Sequence, residues 1–153
     1  MEKLNRSMES DLKLVNAVLD TLIPASEDGT KPGAGSLDLS ETIREASGDF
    51  WPGVLEGIRS LEAEARKTGA SGFEALSLSD RSKLLSRSQE SHPGVLQSLV
   101  FQCYMAYYRH PKALEALGLE ARPPFPDGFD IEDFDPALLD PVRRRRPFYR
   151  KVD

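Results

Sequence analysis

The stretch VLQSLVFQCYMAYY, residues 95–108, decides the fold of this chain. Its large apolar residues recur every three or four positions, the period of an α-helix, and it contains no charged side chain. A helix that is apolar on nearly all sides must pack against other protein surfaces on all sides. It is either the centre of a helical body or a body helix with a second face for a partner. We favour the first, since every domain needs a core. One face carries Leu96, Leu99, Val100, Cys103 and Tyr107, and the rest carries Phe101, Tyr104, Met105 and Tyr108.

Amphipathic patterns before and after this stretch predict further helices. Ser79 is expected to cap the start of one helix, and Gly69 the end of another. No segment alternates in the manner of a strand. The predicted fold is therefore all-α, an irregular bundle of five to six helices in a body of residues 1–118. The other predicted helices cover residues 7–23, 37–46, about 52–67, 80–90 and 112–117.

Composition excludes several classes of protein. With 153 residues, 39% of them hydrophobic, the chain can bury a core. A net charge of −5 argues against nucleic-acid binding, which needs a basic face. No apolar run approaches the roughly 18 residues needed to cross a bilayer, so direct membrane insertion is not expected. The start of the chain lacks an export signal. We therefore expect a cytoplasmic protein, or a periplasmic one if it is exported with a signal-bearing partner.

Residues that could carry chemistry are few. Cys103, the only cysteine, lies inside the apolar helix and is expected to be an inert core thiol. His92 and His110 each precede a proline at a helix boundary, where capping or surface roles are expected. The glycines of GTKPGAGS lack the lysine of a phosphate loop, and PDGFDIEDFD lacks the glycine and closing glutamate of a calcium loop. We predict no catalytic, cofactor-binding or metal-binding residue in this chain.

The last segment, residues 119–153, has a different character. It holds six of the eleven prolines, which forbid a long helix or a central strand, so we predict an extended, proline-rich C-terminal arm. The arm could wrap its own body, dock on another protein, or use its four consecutive arginines for nucleic acid or membrane charge. Docking is favoured because aromatic and arginine residues are enriched at interfaces. The predicted partner-binding residues are Arg122, Pro124, Phe125, Phe129, Phe134, Arg143, Arg144, Phe148 and Tyr149.

Several short motifs together resemble one known family. LDTLIP at residues 19–24, followed by PGAG at residues 32–35, is similar to the opening of the gluconate 2-dehydrogenase subunit 3 family. The segment from Leu76-Ser77 to Leu84-Leu85 resembles its mid-chain helix start. YYRHP at residues 107–111, ahead of Leu117-Gly118, resembles a later step of that family. RPPFPDG at residues 122–128 and LDPVR at residues 139–143 are similar to tails in some members.

The resemblance implies a non-catalytic small subunit. Its partner would be a large FAD-dependent sugar or alcohol dehydrogenase subunit of the glucose-methanol-choline type, which holds the FAD and the catalytic histidine. A cytochrome can accept the electrons in such complexes. The small subunit would bind and stabilise the large one, or assist its export. Many members carry a twin-arginine signal, and this chain begins without one.

An alternative function of another class stays open. The chain could be a stand-alone helical ligand-binding domain, or a small enzyme, with a pocket between its helices. That alternative predicts a deep pocket lined by Tyr104, Tyr107, Arg109 and His110.

Overall fold

The computed structural model describes residues 2–91, 93–122, 128 and 131–146, without the side chains of residues 2–8, 90, 91, 93 and 95. Over these residues the protein is helical and contains no strand, which confirms the all-α prediction. None of the described helices is long and apolar enough to cross a membrane. The chain divides into two compact units, Met1–Arg122 and Pro123–Asp153.

The first unit has six α-helices among its described residues, in agreement with the predicted five to six. Three single-turn 3-10 helices, Ala34–Ser36, Gly48–Phe50 and Phe73–Ala75, lie in the connections. The helices are α1 (Glu2–Leu22), α2 (Ser40–Ser47), α3 (Trp51–Lys67), α4 (Leu78–Ser91), α5 (Pro93–Tyr107) and α6 (Pro111–Ala116).

The core of the first unit forms where α1, α3 and α5 present their apolar faces. Burial of these side chains removes apolar surface from water and is the main favourable contribution to folding. In α1, Val15, Val18 and Leu19 are buried, whereas Leu12 is 46% exposed. Phe73, from the turn between α3 and α4, is fully buried among the helices. The buried residues include Val15, Val18 and Leu19 of α1, Val54, Ile58 and Leu61 of α3, and Leu99 and Cys103 of α5.

Helix ends follow the predicted signals with one exception. Gly69 adopts a φ of +90° and donates its N–H to the carbonyl of Arg66, as expected for a glycine that ends α3. The predicted cap at Ser79 is wrong, because α4 begins at Leu78 and Ser79 therefore lies inside the helix. Ser77 is the cap: its Oγ accepts the N–H of Asp80 at 3.1 Å and donates to the Asp80 carboxylate at 2.7 Å. Ser77 and Ser79 both precede Asp80, and which of them caps the helix depends on the backbone conformation of the preceding turn.

The second unit contains a short helical segment. A 3-10 turn at Pro136–Leu139 leads into α7, Asp140–Arg143. The Asp135 carboxylate accepts the N–H of Ala137 at 2.9 Å and so caps the turn. Each element has a proline in its first turn, where the missing N–H is not needed and the fixed φ suits the start of a helix. The body–arm boundary at residues 118 and 119 and the partner-binding role of the arm stay predictions.

Candidate functional site

The loop that carries the PGAG motif is fastened to α1 and to α5. Asp20 in α1 accepts the backbone N–H of Gly35 at 2.8 Å, and Ala34 donates its N–H to the carbonyl of Ile23 at 2.9 Å. From α5, the hydroxyl of Tyr107 donates to the carbonyl of Pro32 at 2.8 Å. The LDTLIP, PGAG and YYRHP motifs therefore meet in space, although 75 residues separate Pro32 from Tyr107.

Two glycines of this motif are required by lack of space. A Cβ added to Gly35 would lie 2.2 Å from the backbone oxygen of Asn16, and one added to Gly33 would lie 2.3 Å from the Asp20 carboxylate. The clash at Gly35 involves backbone and cannot be relieved by a side-chain rotation. The loop approaches α1 so closely that Asp20 can reach the Gly35 N–H only in the absence of a side chain there.

The outer side of α5, together with Tyr108 directly after it, carries four large and mainly apolar residues that remain accessible. Phe101 is 62% exposed, Tyr104 44%, Met105 46% and Tyr108 49%; we call these four residues the α5 face. On the opposite side Leu99, Cys103 and Tyr107 are buried. The expectation that α5 is covered all round, as the centre of the body, is therefore wrong. The geometry of α5 agrees with the other alternative from the sequence, a helix of the body with a second apolar face.

The rings at the end of the α5 face are ordered by contacts with one another. Tyr104 and Tyr108 stack with their centroids 6.0 Å apart and an angle of 17° between their planes. Tyr108 also meets the buried ring of Tyr107 edge to face, at 5.2 Å and 85°. Such offset and edge-to-face pairs are favourable arrangements for aromatic rings. Through Tyr107 this part of the surface is connected to the PGAG loop.

The groups that could have carried chemistry have structural surroundings. Burial, with a smaller contribution from the negative charge of Asp20, raises the pKa of the Cys103 thiol to about 12, which confirms the prediction of an inert core thiol. Burial also raises the pKa of Tyr107. His110 caps α6, because its Nδ1 accepts the N–H of Lys112 at 3.3 Å. His92 lies outside the described residues.

A cleft of about 590 Å³ opens on another side of the first unit, between α1, α2 and α3. Charged side chains at its edge are paired: Arg59 binds Asp11 at 2.6 and 3.0 Å, and Arg44 pairs with Glu41. Lys13 pairs with Glu9 at 3.3 Å. The apolar part of the lining comes from Leu12, Val15, Trp51 and Leu55.

The pocket that the alternative function requires does not form from the four residues named for it. Tyr107 is buried and donates to Pro32, whereas Tyr104 lies on the α5 face. His110 is engaged as a cap, and Arg109 is exposed beyond the end of α5. Within the described residues no group of three or more His, Cys, Asp or Glu is arranged to hold a metal ion.

Four of the predicted partner-binding residues are described. Phe134 is 64% exposed, Arg143 pairs with Asp140 at 3.5 Å, and the exposed Arg144 continues the turn after α7. Arg122 forms an ion pair with Glu120. The partner-binding role of these residues remains a prediction, since no partner chain is present to test it. Pro124, Phe125, Phe129, Phe148 and Tyr149 lie outside the described residues.

Comparison with known proteins gave one match. The family model described as gluconate 2-dehydrogenase subunit 3 matches residues 9–118. A search of the curated proteins and a search of the solved structures found no match. The matched range contains α2 to α6, most of α1 and the whole α5 face, and it ends before the proline-rich segment.

Proposed function

Because this chain belongs to the gluconate 2-dehydrogenase subunit 3 family, we propose that it is a non-catalytic accessory subunit that binds and stabilises a large FAD-dependent dehydrogenase subunit. The family is that of a subunit of a dehydrogenase complex, and the match over residues 9–118 is the observation that carries the proposal. The large subunit would be a sugar or alcohol oxidoreductase of the glucose-methanol-choline type. It would hold the FAD and the catalytic histidine and pass electrons to an acceptor such as a cytochrome.

The role of the motif residues supports a non-catalytic chain. Two polar groups of the family-like motifs, those of Asp20 and Tyr107, are engaged in holding the PGAG loop. A carboxylate that accepts a backbone N–H and a buried hydroxyl that donates to a carbonyl are already satisfied. These motifs therefore stabilise the conformation of the PGAG loop, a role that is expected of a structural subunit.

The exposed apolar surface supports a binding role. Large apolar side chains grouped on the surface of a soluble protein mark sites of interaction more often than isolated ones do. The α5 face groups two tyrosines, a phenylalanine and a methionine, residue types that are enriched at interfaces. A chain with this surface is suited to permanent association with a partner protein. If it assists the export of that partner, it would do so through the same contact.

Co-expression tests the proposal. The large subunit would be produced in one host with and without this chain, and its soluble yield, bound flavin and dehydrogenase activity would be compared. We expect the flavoprotein to co-purify with this chain and to lose soluble yield and bound FAD without it. A large subunit that is equally soluble, flavin-loaded and active alone would refute the proposal. The control is a co-expression in which an unrelated acidic helical protein replaces this chain. It is assayed in unfractionated lysate.

The cleft between α1, α2 and α3 favours a second candidate, a stand-alone ligand-binding domain. Its volume of about 590 Å³ lies within the range of small-molecule sites, and Trp51 with its apolar neighbours could contact a ligand. Thermal-shift measurements on the purified chain, against panels of sugars, alcohols and their acids, would detect such binding. A stabilising ligand whose effect disappears in Trp51→Ala would support this candidate over the accessory subunit.

A further inference from the structure

We propose that the α5 face is the surface that seats this chain on the large oxidoreductase subunit, by entering an uncharged apolar groove of that subunit. The inference rests on the proposed function and adds the location and chemistry of the contact. It moves the main contact from the proline-rich arm, where the sequence placed it, to the helical body.

The spacing of the four residues is that of a helix bound in a groove. Phe101, Tyr104, Met105 and Tyr108 stand at positions i, i+3, i+4 and i+7, the anchor pattern of helices that insert one apolar face into a hydrophobic groove. The four side chains therefore project on one side over two turns. Their exposures, between 44% and 62%, leave large apolar surfaces for a partner to cover.

Two of the three aromatic side chains of the α5 face, Tyr104 and Tyr108, are in ring contact before a partner binds. Tyr108 stacks on Tyr104 and contacts the edge of Tyr107, which in turn donates to Pro32. Immobilising a flexible side chain at an interface costs free energy, so rings that are fixed in advance bind more favourably. This ordering of Tyr104 and Tyr108 suits an interface.

The charges of the first unit indicate what kind of surface the groove has. The residues of α5 include no Asp, Glu, Lys or Arg, whereas the exposed sides of α1 and α3 carry ion pairs such as Lys13 with Glu9 and Arg66 with Glu62. A charged groove would lose hydration opposite the α5 face without gaining a counter-charge. The occupant is therefore uncharged and largely apolar at its centre, with hydrogen-bonding groups for the hydroxyls of Tyr104 and Tyr108. An acidic group at one end would complement the exposed Arg109, which follows α5.

The extent of the family match supports the large subunit as the owner of the groove. The matched family is described as a subunit of gluconate 2-dehydrogenase, and the match contains the complete α5 face but stops at residue 118. A contact common to the family must lie within the matched residues. The oxidoreductase partner is thus favoured over a second copy of this chain.

Affinity measurements on full-length variants test the inference. Phe101→Ala and Tyr104→Ala would each be titrated against the flavin-loaded large subunit, with Phe50→Ala as the matched control. Phe50 is 81% exposed on the turn Gly48–Phe50, which packs on α2 and α3 and lies outside the α5 face. We expect Kd to rise about tenfold or more for each α5 variant, as for buried aromatic anchors, and to change less than about twofold for Phe50→Ala.

A charge inserted into the α5 face gives a second, stronger variant. Met105→Glu would place a carboxylate in the apolar groove, so we expect loss of detectable binding. Met105 is 46% exposed, and the variant should keep the helical content and melting temperature of the parent within a few degrees. If both alanine variants and Met105→Glu bind as tightly as the parent, the inference is overturned while the proposed function stands. If the parent chain itself does not bind the large subunit, the proposed function fails.

Self-association is a further outcome to distinguish. Analytical ultracentrifugation of the chain alone, at the concentrations of the titration, would detect a dimer through the α5 face. A dimer that Met105→Glu converts to monomer, together with unchanged affinity for the large subunit, would assign the face to a second copy and overturn the inference.

Discussion

The carboxylate of Asp20 accepts the backbone N–H of Gly35 at 2.8 Å, across fifteen residues of sequence. This bond joins the last turn of α1 to the loop that follows it and leaves no space for a side chain at Gly35. Tyr107 of α5 holds the same loop from the other side. The surface that we propose for the partner is built on this junction, since Tyr107 also supports Tyr108.

Gly35→Ala should destabilise the protein, because its methyl group would lie 2.2 Å from the backbone oxygen of Asn16. We expect the free energy of unfolding to fall by about 1–3 kcal/mol, the usual cost of overpacking. Urea denaturation followed by circular dichroism would measure it. Gly53→Ala is the control: it lies in α3 with open space around it and should be neutral or slightly stabilising. Equal stability of the two variants would contradict the described approach of loop and helix.

The adjacent tyrosines should respond differently to loss of their hydroxyl groups. Tyr107→Phe removes a hydrogen bond to Pro32 from a buried ring and leaves a carbonyl without its donor. We expect a loss of about 0.5–1.5 kcal/mol in unfolding free energy. Tyr108→Phe, at a site 49% exposed, should change it by less than about 0.5 kcal/mol. Thermal and urea unfolding of the pair would decide the matter. Unchanged stability of Tyr107→Phe would show that the hydroxyl of Tyr107 does not stabilise the loop.

Glu62 should make stability depend on pH. Its carboxylate accepts the N–H of Phe73 at 2.7 Å, and this bond, followed by the contact with Arg66, holds its pKa below the ordinary value of 4.5. Because the folded pKa is lower than the unfolded one, the stabilising contribution is complete above pH 4.5 and is lost as pH falls through the folded pKa. Glu62→Gln should therefore lower unfolding free energy by about 1 kcal/mol at neutral pH.

The acid limb of the stability curve is the specific readout for Glu62. Between neutral and acidic pH, Glu62→Gln should lose stability less steeply than the parent chain. Glu64→Gln is the control, since Glu64 forms an exposed pair with Lys67 and should change stability by less than about 1 kcal/mol. Parallel pH curves for Glu62→Gln and the parent would show that the bond to Phe73 contributes no pH dependence.

Removal of residues 123–153 separates the body from the arm. We expect the remaining unit, Met1–Arg122, to keep its helical content and a cooperative thermal transition, because it contains the described core. Binding to the large subunit should persist, weakened by less than about tenfold, since the main anchors lie on α5. Circular dichroism and titration calorimetry would measure both. A folded but non-binding variant would make the arm the principal contact, as the sequence alone suggested.

Periodicity was sufficient to predict the helices, since burial of one face imposes the same spacing on any amphipathic helix. The faces of α3, the burial of Cys103 and the ends at Gly69 and Pro24 all follow from local pattern. The cap of α4 was assigned to the wrong serine. Ser77 and Ser79 are equally suitable by type, and the choice depends on where the chain emerges from the turn Phe73–Ala75.

The sequence by itself determined an all-α chain of this family with a buried, unreactive thiol, because residue type and spacing fix helices and core. Only the tertiary structure decided which side of α5 is covered. The helix is apolar on both sides, so its pattern could not distinguish them, and the packing of α1 to α4 covers Leu99, Cys103 and Tyr107 but not Phe101, Tyr104, Met105 and Tyr108. The same packing brought Asp20, Gly35 and Tyr107 together, a meeting of distant segments that no local pattern encodes.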